Sequence, residues 1–263
     1  MHNFDFAKPA TIADAVAALQ GDEAQPLGGG QTLIPTMKQR LAAPEVLVSL
    51  THIPDMQGVC TNDAGQLCIG GATTHATVAR EAASSFPGLA HLAAHIGDPA
   101  VRNRGTIGGS LANNDPSACY PAAALGTGAT ICTNLREITA DDYFQGMFDT
   151  ALDEGEIITE VRLPIPQAAH YEKFVQPASR FALTGVFVAK YQDHVRVAVT
   201  GASENGVFRW ADAEAALSQS FASDAVADLS VDPDHMIHDL HASKEYRANL
   251  VKVGTMRSVK KAK

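Results

Sequence analysis

Two glycine-rich segments, Gly28-Gly29-Gly30-Gln31-Thr32 and Thr106-Ile107-Gly108-Gly109-Ser110, are the residues whose types and spacing point to chemistry. Glycine has no side chain to hold a ligand away, so each segment can bring several backbone N–H groups close to one anion. The first follows the apolar Gln25-Pro26-Leu27 and leads into residues 33–41, which read as a helix with Pro35 near its first turn. Strand, glycine loop and helix N-terminus in that order gather unpaired amides at the positive end of a helix dipole. The second lies between Arg102-Asn103-Arg104-Gly105 and the turn-forming Asn113-Asn114-Asp115-Pro116, ahead of a helical stretch at 122–125. Two such loops suit the pyrophosphate of a nucleotide. Neither has the G-x-G-x-x-G spacing or the Lys-Ser/Thr ending of the common nucleotide folds, so the group is held some other way.

Other chemistry has less support. His91 and His95 lie four apart on a helix, a spacing that can ligate zinc, but the glutamate of H-E-x-x-H is missing between them. His235, His238 and His241, spaced by three, could share a helix face; without a neighbouring cysteine they read as surface histidines. No G-x-S-x-G elbow supports a hydrolase. Glu154 and Glu156 flank Gly155 in a turn and read as solvated charges. Of Ile157 and Ile158, strand alternation sets one toward the core and the other on the opposite side, where it could lie against a bound ring. Cys60, Cys68, Cys119 and Cys132 form no C-x-x-C pair and read as free thiols. They do not supply the grouped thiolates of an iron–sulfur cluster, so any cluster belongs to another chain.

The elements that must position these residues fall into three stretches. A strand at 4–6, a helix at 12–19 capped by Thr11, the first glycine loop with its helix, and a strand at 46–50 make a small α/β unit closing near residue 54. A second unit holds a strand at 67–70, helices at 75–84 and 87–95, the second glycine loop, and strands at 129–133 and 156–163. Pro164 and Pro166 then mark a linker. Beyond it come β-rich runs at 171–175, 182–191, 195–200 and 207–210, with helices at 211–217 and 244–259, the pattern of a separate α+β domain.

A formal net charge of -9 argues against a nucleic-acid partner. The basic cluster Lys252, Arg257, Lys260, Lys261 and Lys263 reads as complementing a terminal helix dipole or as solvated. No apolar run approaches the ~20 residues of a membrane span, and the N-terminus lacks the features of a signal peptide, so a cytoplasmic location is expected.

The run from His95 to Pro116 resembles the FAD-contacting segment in the medium subunit of the molybdenum hydroxylase family, of the aerobic carbon monoxide dehydrogenase and xanthine dehydrogenase types. Residues 27–35 resemble that family's first FAD loop, 155–161 its flavin-facing strand, 178–183 the start of its C-terminal domain and 239–247 a segment near its end. The resemblance spans nearly the whole chain. It implies an α+β fold: bipartite, PCMH-type (vanillyl-alcohol-oxidase-like) α/β subdomains at 1–54 and 55–166 clasp FAD, and a C-terminal α+β domain follows at 167–263. It also implies that Gly28, Gly29, Gly30, Gln31 and Thr32, with Thr106, Ile107, Gly108, Gly109 and Ser110, hold the pyrophosphate, and that Ile158 faces the flavin ring. Gln31 stands where some relatives with a covalent cofactor have histidine, so the FAD is expected to be non-covalent. Xanthine dehydrogenase-type relatives have an aspartate at Cys119 as a polar partner of the cofactor, and a thiol is a poor acceptor in its place.

In that family, substrate is oxidised on a molybdenum-cofactor large subunit, and electrons pass through 2Fe–2S clusters on a small subunit to FAD and then to an external acceptor. The assembly expected by resemblance is a dimer of heterotrimers, with no catalytic acid, base or nucleophile on this chain. An independent flavoenzyme with a substrate pocket in the C-terminal domain, or a nucleotide-free scaffold, are the competing readings.

Overall fold

Short apolar runs punctuated by glycine and proline build three main sheets and one two-stranded hairpin in a computed structural model that describes residues 1–262. Lys263, the last of the basic cluster, lies outside the described residues. The first sheet comes from β1 (Asp5–Ala7), β2 (Ala24–Leu27) and β3 (Val46–Ser49), with α1 (Ile12–Ala18) and α2 (Leu33–Lys38) as connections. β3 is central and runs parallel to both neighbours, which suits its apolar Val46 and its buried Leu47 and Val48. Thr11 caps α1 by accepting a hydrogen bond from the Asp14 amide.

The second sheet, in the order β4-β5-β10-β6-β7, comprises β4 (Val59–Thr61), β5 (Gln66–Gly70), β6 (Thr130–Thr133), β7 (Glu137–Thr139) and β10 (Ile158–Pro164). Between β5 and β6 run α3 (His75–Glu81), α4 (Pro87–Ala94), α5 (Pro99–Arg102), α6 (Ile107–Asn113) and α7 (Tyr120–Thr127). A short α8 (Ala140–Tyr143) and the hairpin β8 (Phe144–Gly146) and β9 (Asp149–Thr150) lead back to β10. Pro164 ends β10 rather than opening a linker, and three residues suffice to reach the next strand.

The third sheet is an antiparallel meander of β11 (Ala168–Val175), β12 (Ala182–Lys190), β13 (Val195–Ser203) and β14 (Gly206–Arg209). Both of its faces are covered. Val186, Val188, Val197 and Val199 pack against α9 (Ala211–Gln219) and α10 (Lys244–Lys261). Tyr171, Phe187, Ala189 and Ala198 turn the other way and join the core of the second sheet through α4 and α7. The helices sit close: a Cβ on Gly126 of α7 would come 3.0 Å from the Phe187 ring, and one on Gly88 of α4 would come 2.8 Å from the Ala169 carbonyl oxygen.

Four local expectations are corrected. The second glycine segment is the first turn of α6 rather than a loop, because Thr106 caps it by accepting from the Gly109 amide. His235, His238 and His241 are exposed, as surface histidines, but do not share a helix face: Pro233–His235 is a 3-10 turn and the others follow in turns and irregular chain. In the basic cluster, Lys261 and Arg257 reach across to Glu172 on β11, at 2.7 and 3.4 Å, so they tie α10 to the sheet instead of only facing the helix dipole.

The fourth correction is Glu156. Its side chain is fully buried, accepts from Arg136 Nε at 3.1 Å and Nη2 at 3.0 Å and from Thr133 Oγ1 at 2.6 Å, and caps the turn through the Asp153 amide. Burial pushes this carboxyl up, but these donors outweigh it and hold it below the usual carboxylate range. A depressed folded-state pKa means stability that is complete above the ordinary glutamate value, about 4.3, and that is lost as pH falls through the lowered one. Glu156→Gln should therefore be less stable than wild type at neutral pH, with a flatter acid limb in urea unfolding measured from pH 7 downward. Parallel acid limbs would remove Glu156 as their source.

Candidate cofactor site

The first two sheets leave between them a cleft of about 690 Å3, to which β11 and the turn after it in the third sheet also contribute lining residues. That volume is in the range of small-molecule sites. Gly28, Gly29, Gly30, Gln31 and Thr32 line one side, and Thr106, Gly108, Gly109 and Ser110 the other. Ile157 and Ile158 both border the cleft, and they face opposite ways, Ile158 packing in the main core and Ile157 in the core of the first unit. Ile107 does not line it; that side chain is 1% exposed and packs in the main core.

The two glycine segments differ in what they offer. Among the described residues, the backbone N–H groups of Gly29, Gly30, Gln31 and Thr32 have no hydrogen-bond partner, and Thr32 does not cap α2 with its side chain. They form a row of open donors at a helix start, an arrangement that attracts an anion. Across the cleft the donors are occupied: Ile107 N donates to Thr73 O at 3.1 Å, Gly108 N to Gly71 O at 2.9 Å and Gly109 N to Thr106 Oγ1 at 3.2 Å. The second segment contributes shape rather than amides.

Its glycines are there because backbones touch. A Cβ on Gly29 would lie within the shell of the Arg104 carbonyl and 2.5 Å from Gly105 Cα; one on Gly108 would lie 2.6 Å from Gly71 O. Gly30 has φ +70, open to glycine at no steric cost. Gly109 is different, since a Cβ there would meet only Thr106 Oγ1 at 2.9 Å.

Several cleft residues carry no sequence signal. His75, the first residue of α3, is 4% exposed, stacks at a tilt on Tyr120 with centroids 5.3 Å apart, and has no partner for Nδ1. Burial, then the Arg102 charge, lowers its pKa to about 4, so the ring is neutral near pH 7. Asp115 borders the cleft with its carboxyl pushed up by burial while accepting from Ser117 N at 2.8 Å. Lys173 of β11 and Arg180 of the β11–β12 turn add positive charge, and Lys173 Nζ donates to His95 O at 3.0 Å. Arg102, which the sequence places beside the second segment as a cation, donates instead to the carbonyls of Ile96 and Gly97. Cys119 lines the cleft at 4% exposure beside the buried Tyr171 phenol. His91 and His95, the pair with metal spacing, lie outside the cleft lining; they stack with centroids 4.1 Å apart, and His95 Nδ1 is within 2.7 Å of His91 O.

An elongated cleft between two α/β units, with open amides beside a glycine turn, apolar isoleucine walls and an unpartnered buried imidazole nitrogen, defines a flavoprotein of the two-part dinucleotide-binding class. Residues 2–166 match the family model of the FAD binding domain in molybdopterin dehydrogenase, and the chain belongs to that family. The carbon monoxide dehydrogenase medium chain of Afipia carboxidovorans is 40% identical over 71% of this chain and 68% of its own length. The nicotine 6-hydroxylase medium subunit of Paenarthrobacter nicotinovorans is 34% identical over 98% of this chain and 96% of its own. Among solved structures, reconstituted CO dehydrogenase from Oligotropha carboxidovorans superposes with a TM-score of 0.87 at 30% identity, covering 98% of this chain and 97% of that one. The chain is thus an FAD-binding subunit of the oxidoreductase kind, and FAD is its cofactor. The site fits that group on the open Gly29–Thr32 amides and the orphaned His75 Nδ1.

The close approach at Gly29 separates two explanations of that glycine. If the neighbouring backbone requires it, Gly29→Ala destabilises even the flavin-free chain, by about 1–3 kcal/mol as overpacking does, and retains less FAD. Urea denaturation of the apoprotein reads this directly. Wild-type apoprotein stability would assign the missing Cβ to the phosphate alone.

Proposed function

We propose that this chain is the medium subunit of a molybdenum hydroxylase complex of the carbon monoxide dehydrogenase type, and that it relays electrons from 2Fe–2S clusters on a small partner subunit to an external acceptor. The FAD it binds supplies the electron-carrying chemistry; the chain's own residues hold and shield it. Gly28 to Thr32 bind the pyrophosphate through open amides, and Thr106 to Ser110 wall its other side. Ile157 and Ile158 give an apolar wall, while Lys173, Arg180 and the neutral His75 add polar contacts. The division at 1–54, 55–166 and 167–263 follows the same reading, with two units clasping the cofactor and the third closing the cleft. Substrate oxidation falls to a molybdenum-cofactor large subunit, in a dimer of heterotrimers. A cytoplasmic location suits the assembly, and no helix among the described residues is long and apolar enough to cross a membrane.

The observation that carries this reading is the cleft itself, with open amide donors for an anion beside a glycine turn. Relatives named as medium chains of carbon monoxide, nicotine and glyceraldehyde oxidising enzymes support it.

Two outcomes are expected. Gln31 offers no nucleophile for attachment, so acid precipitation should release all the flavin into the supernatant; fluorescence retained by the protein band on a denaturing gel would contradict this. In anaerobic stopped-flow at the flavin band, dithionite should reduce the isolated FAD-loaded chain, while carbon monoxide, aldehydes and purines should not. Fast reduction by substrate should require the large and small subunits. Bleaching of the isolated chain at the rate of the complex would make it an independent flavoenzyme.

A further inference from the structure

Three of the four cysteines share one face of the five-stranded sheet. Leu67 and Ile69 of β5 point into the main core, so Cys68 between them points to the opposite face. Val161 and Leu163 set Arg162 there in the same way, flanked by Glu160 and Glu137 at 2.6 Å each. On this face β4 brings Cys60 directly opposite Cys68 in antiparallel register. The register is fixed by the turn, where Asn62 Oδ1 accepts from Gln66 N at 2.9 Å and Asn62 N donates to Gln66 O at 3.0 Å. Residues so opposed have Cα atoms about 4.5–5.5 Å apart, within the roughly 4.4–6.8 Å that a disulfide spans.

Both cysteines are free thiols, and they differ in access: Cys60 is exposed and Cys68 is 4% exposed. Burial, then the Glu160 carboxylate, pushes the Cys68 thiol up. Cys132 belongs to β6, with β10 between it and β5, so it lies two strand spacings, roughly 9.5 Å, from Cys68 and cannot reach it. Cys119 is in the cofactor cleft.

We propose that Cys60 and Cys68 are a reversible redox pair that a peroxide closes into a cross-strand disulfide. The exposed Cys60 sulfur attacks one peroxide oxygen; the O–O bond breaks, one water leaves, and Cys60 becomes a sulfenic acid. Cys68 then loses its proton and attacks the Cys60 sulfur, the S–O bond breaks and a second water leaves. Two thiols have lost two hydrogens, and one peroxide has become two waters. Because Cys68 holds its proton, the second step is slow and speeds up as pH rises. A dithiol reverses the bridge by exchange. The bridge ties the edge strand β4 to β5, which runs on into Gly71, the residue that receives the Gly108 amide at the floor of the cleft.

The test uses the full chain treated with hydrogen peroxide, then denatured and titrated for thiols. The count should fall from four to two per chain, and dithiothreitol should restore it. Cleavage before Asp63, which lies between the two cysteines, should leave two pieces joined until reduction. In Cys60→Ser the three remaining thiols should survive the same treatment. In Cys68→Ser, Cys60 should be trapped by dimedone as the sulfenic acid. The proposal fails if the wild-type pieces separate without reduction while Cys68 is still a thiol. It also fails if the bridge forms between chains or to Cys132.

Discussion

The architecture turns on a place where two backbones touch. Gly29, at the end of the first parallel sheet, sits against Arg104 and Gly105 with no room for a single carbon between them. That contact brings the turn before α2 and the turn before α6 face to face, and the cleft is what remains beside it. The supports behind each side are arranged around the same contact. Gly108 seats α6 on the Gly71 carbonyl, Thr106 caps the helix, and the first α6 amides are occupied by Thr73, Gly71 and Thr106, so this wall offers few open donors. The opposite wall keeps its amides open. A site with donors on one side and a firm surface on the other binds by charge along one edge and by shape along the rest.

The polar side chains around the cleft come from several elements and differ in charge. His75 is held neutral near pH 7 by burial, and burial pushes the Asp115 carboxyl up from its ordinary value. The cations Lys173 and Arg180 come from β11 and the turn that follows it, so the third sheet contributes charge to a site built mainly by the other two. Fixed dipoles and charges of this kind set the environment of a bound ring.

Much of this was legible in the sequence. The parallel β3 reads as an apolar run, Thr11 marks the start of α1, and both glycine segments do border the cleft. What the chain could not reveal locally were pairings across long separations. Gly108 reads as a phosphate-facing residue until Gly71, 37 positions earlier by number, is seen beneath it. Glu156 reads as a turn charge because its partner Arg136 is 20 residues away. Lys173 reads as an ordinary strand lysine until β11 docks beside α4 and the lysine reaches His95. Ile107 fails as a cleft residue for a local reason: Thr106 starts a helix there, and helical periodicity turns the side chain inward.

The third sheet carries a consequence for how such a chain can be divided. Because Phe187, Ala189 and Ala198 complete the same apolar core as α4 and α7, the boundary near residue 166 is a seam in topology and not in packing. A polypeptide stopped there would leave the sides of Gly88 and Gly126, shaped to receive a strand, facing water. Gene fusion and recombination at that point would have to supply a matching sheet.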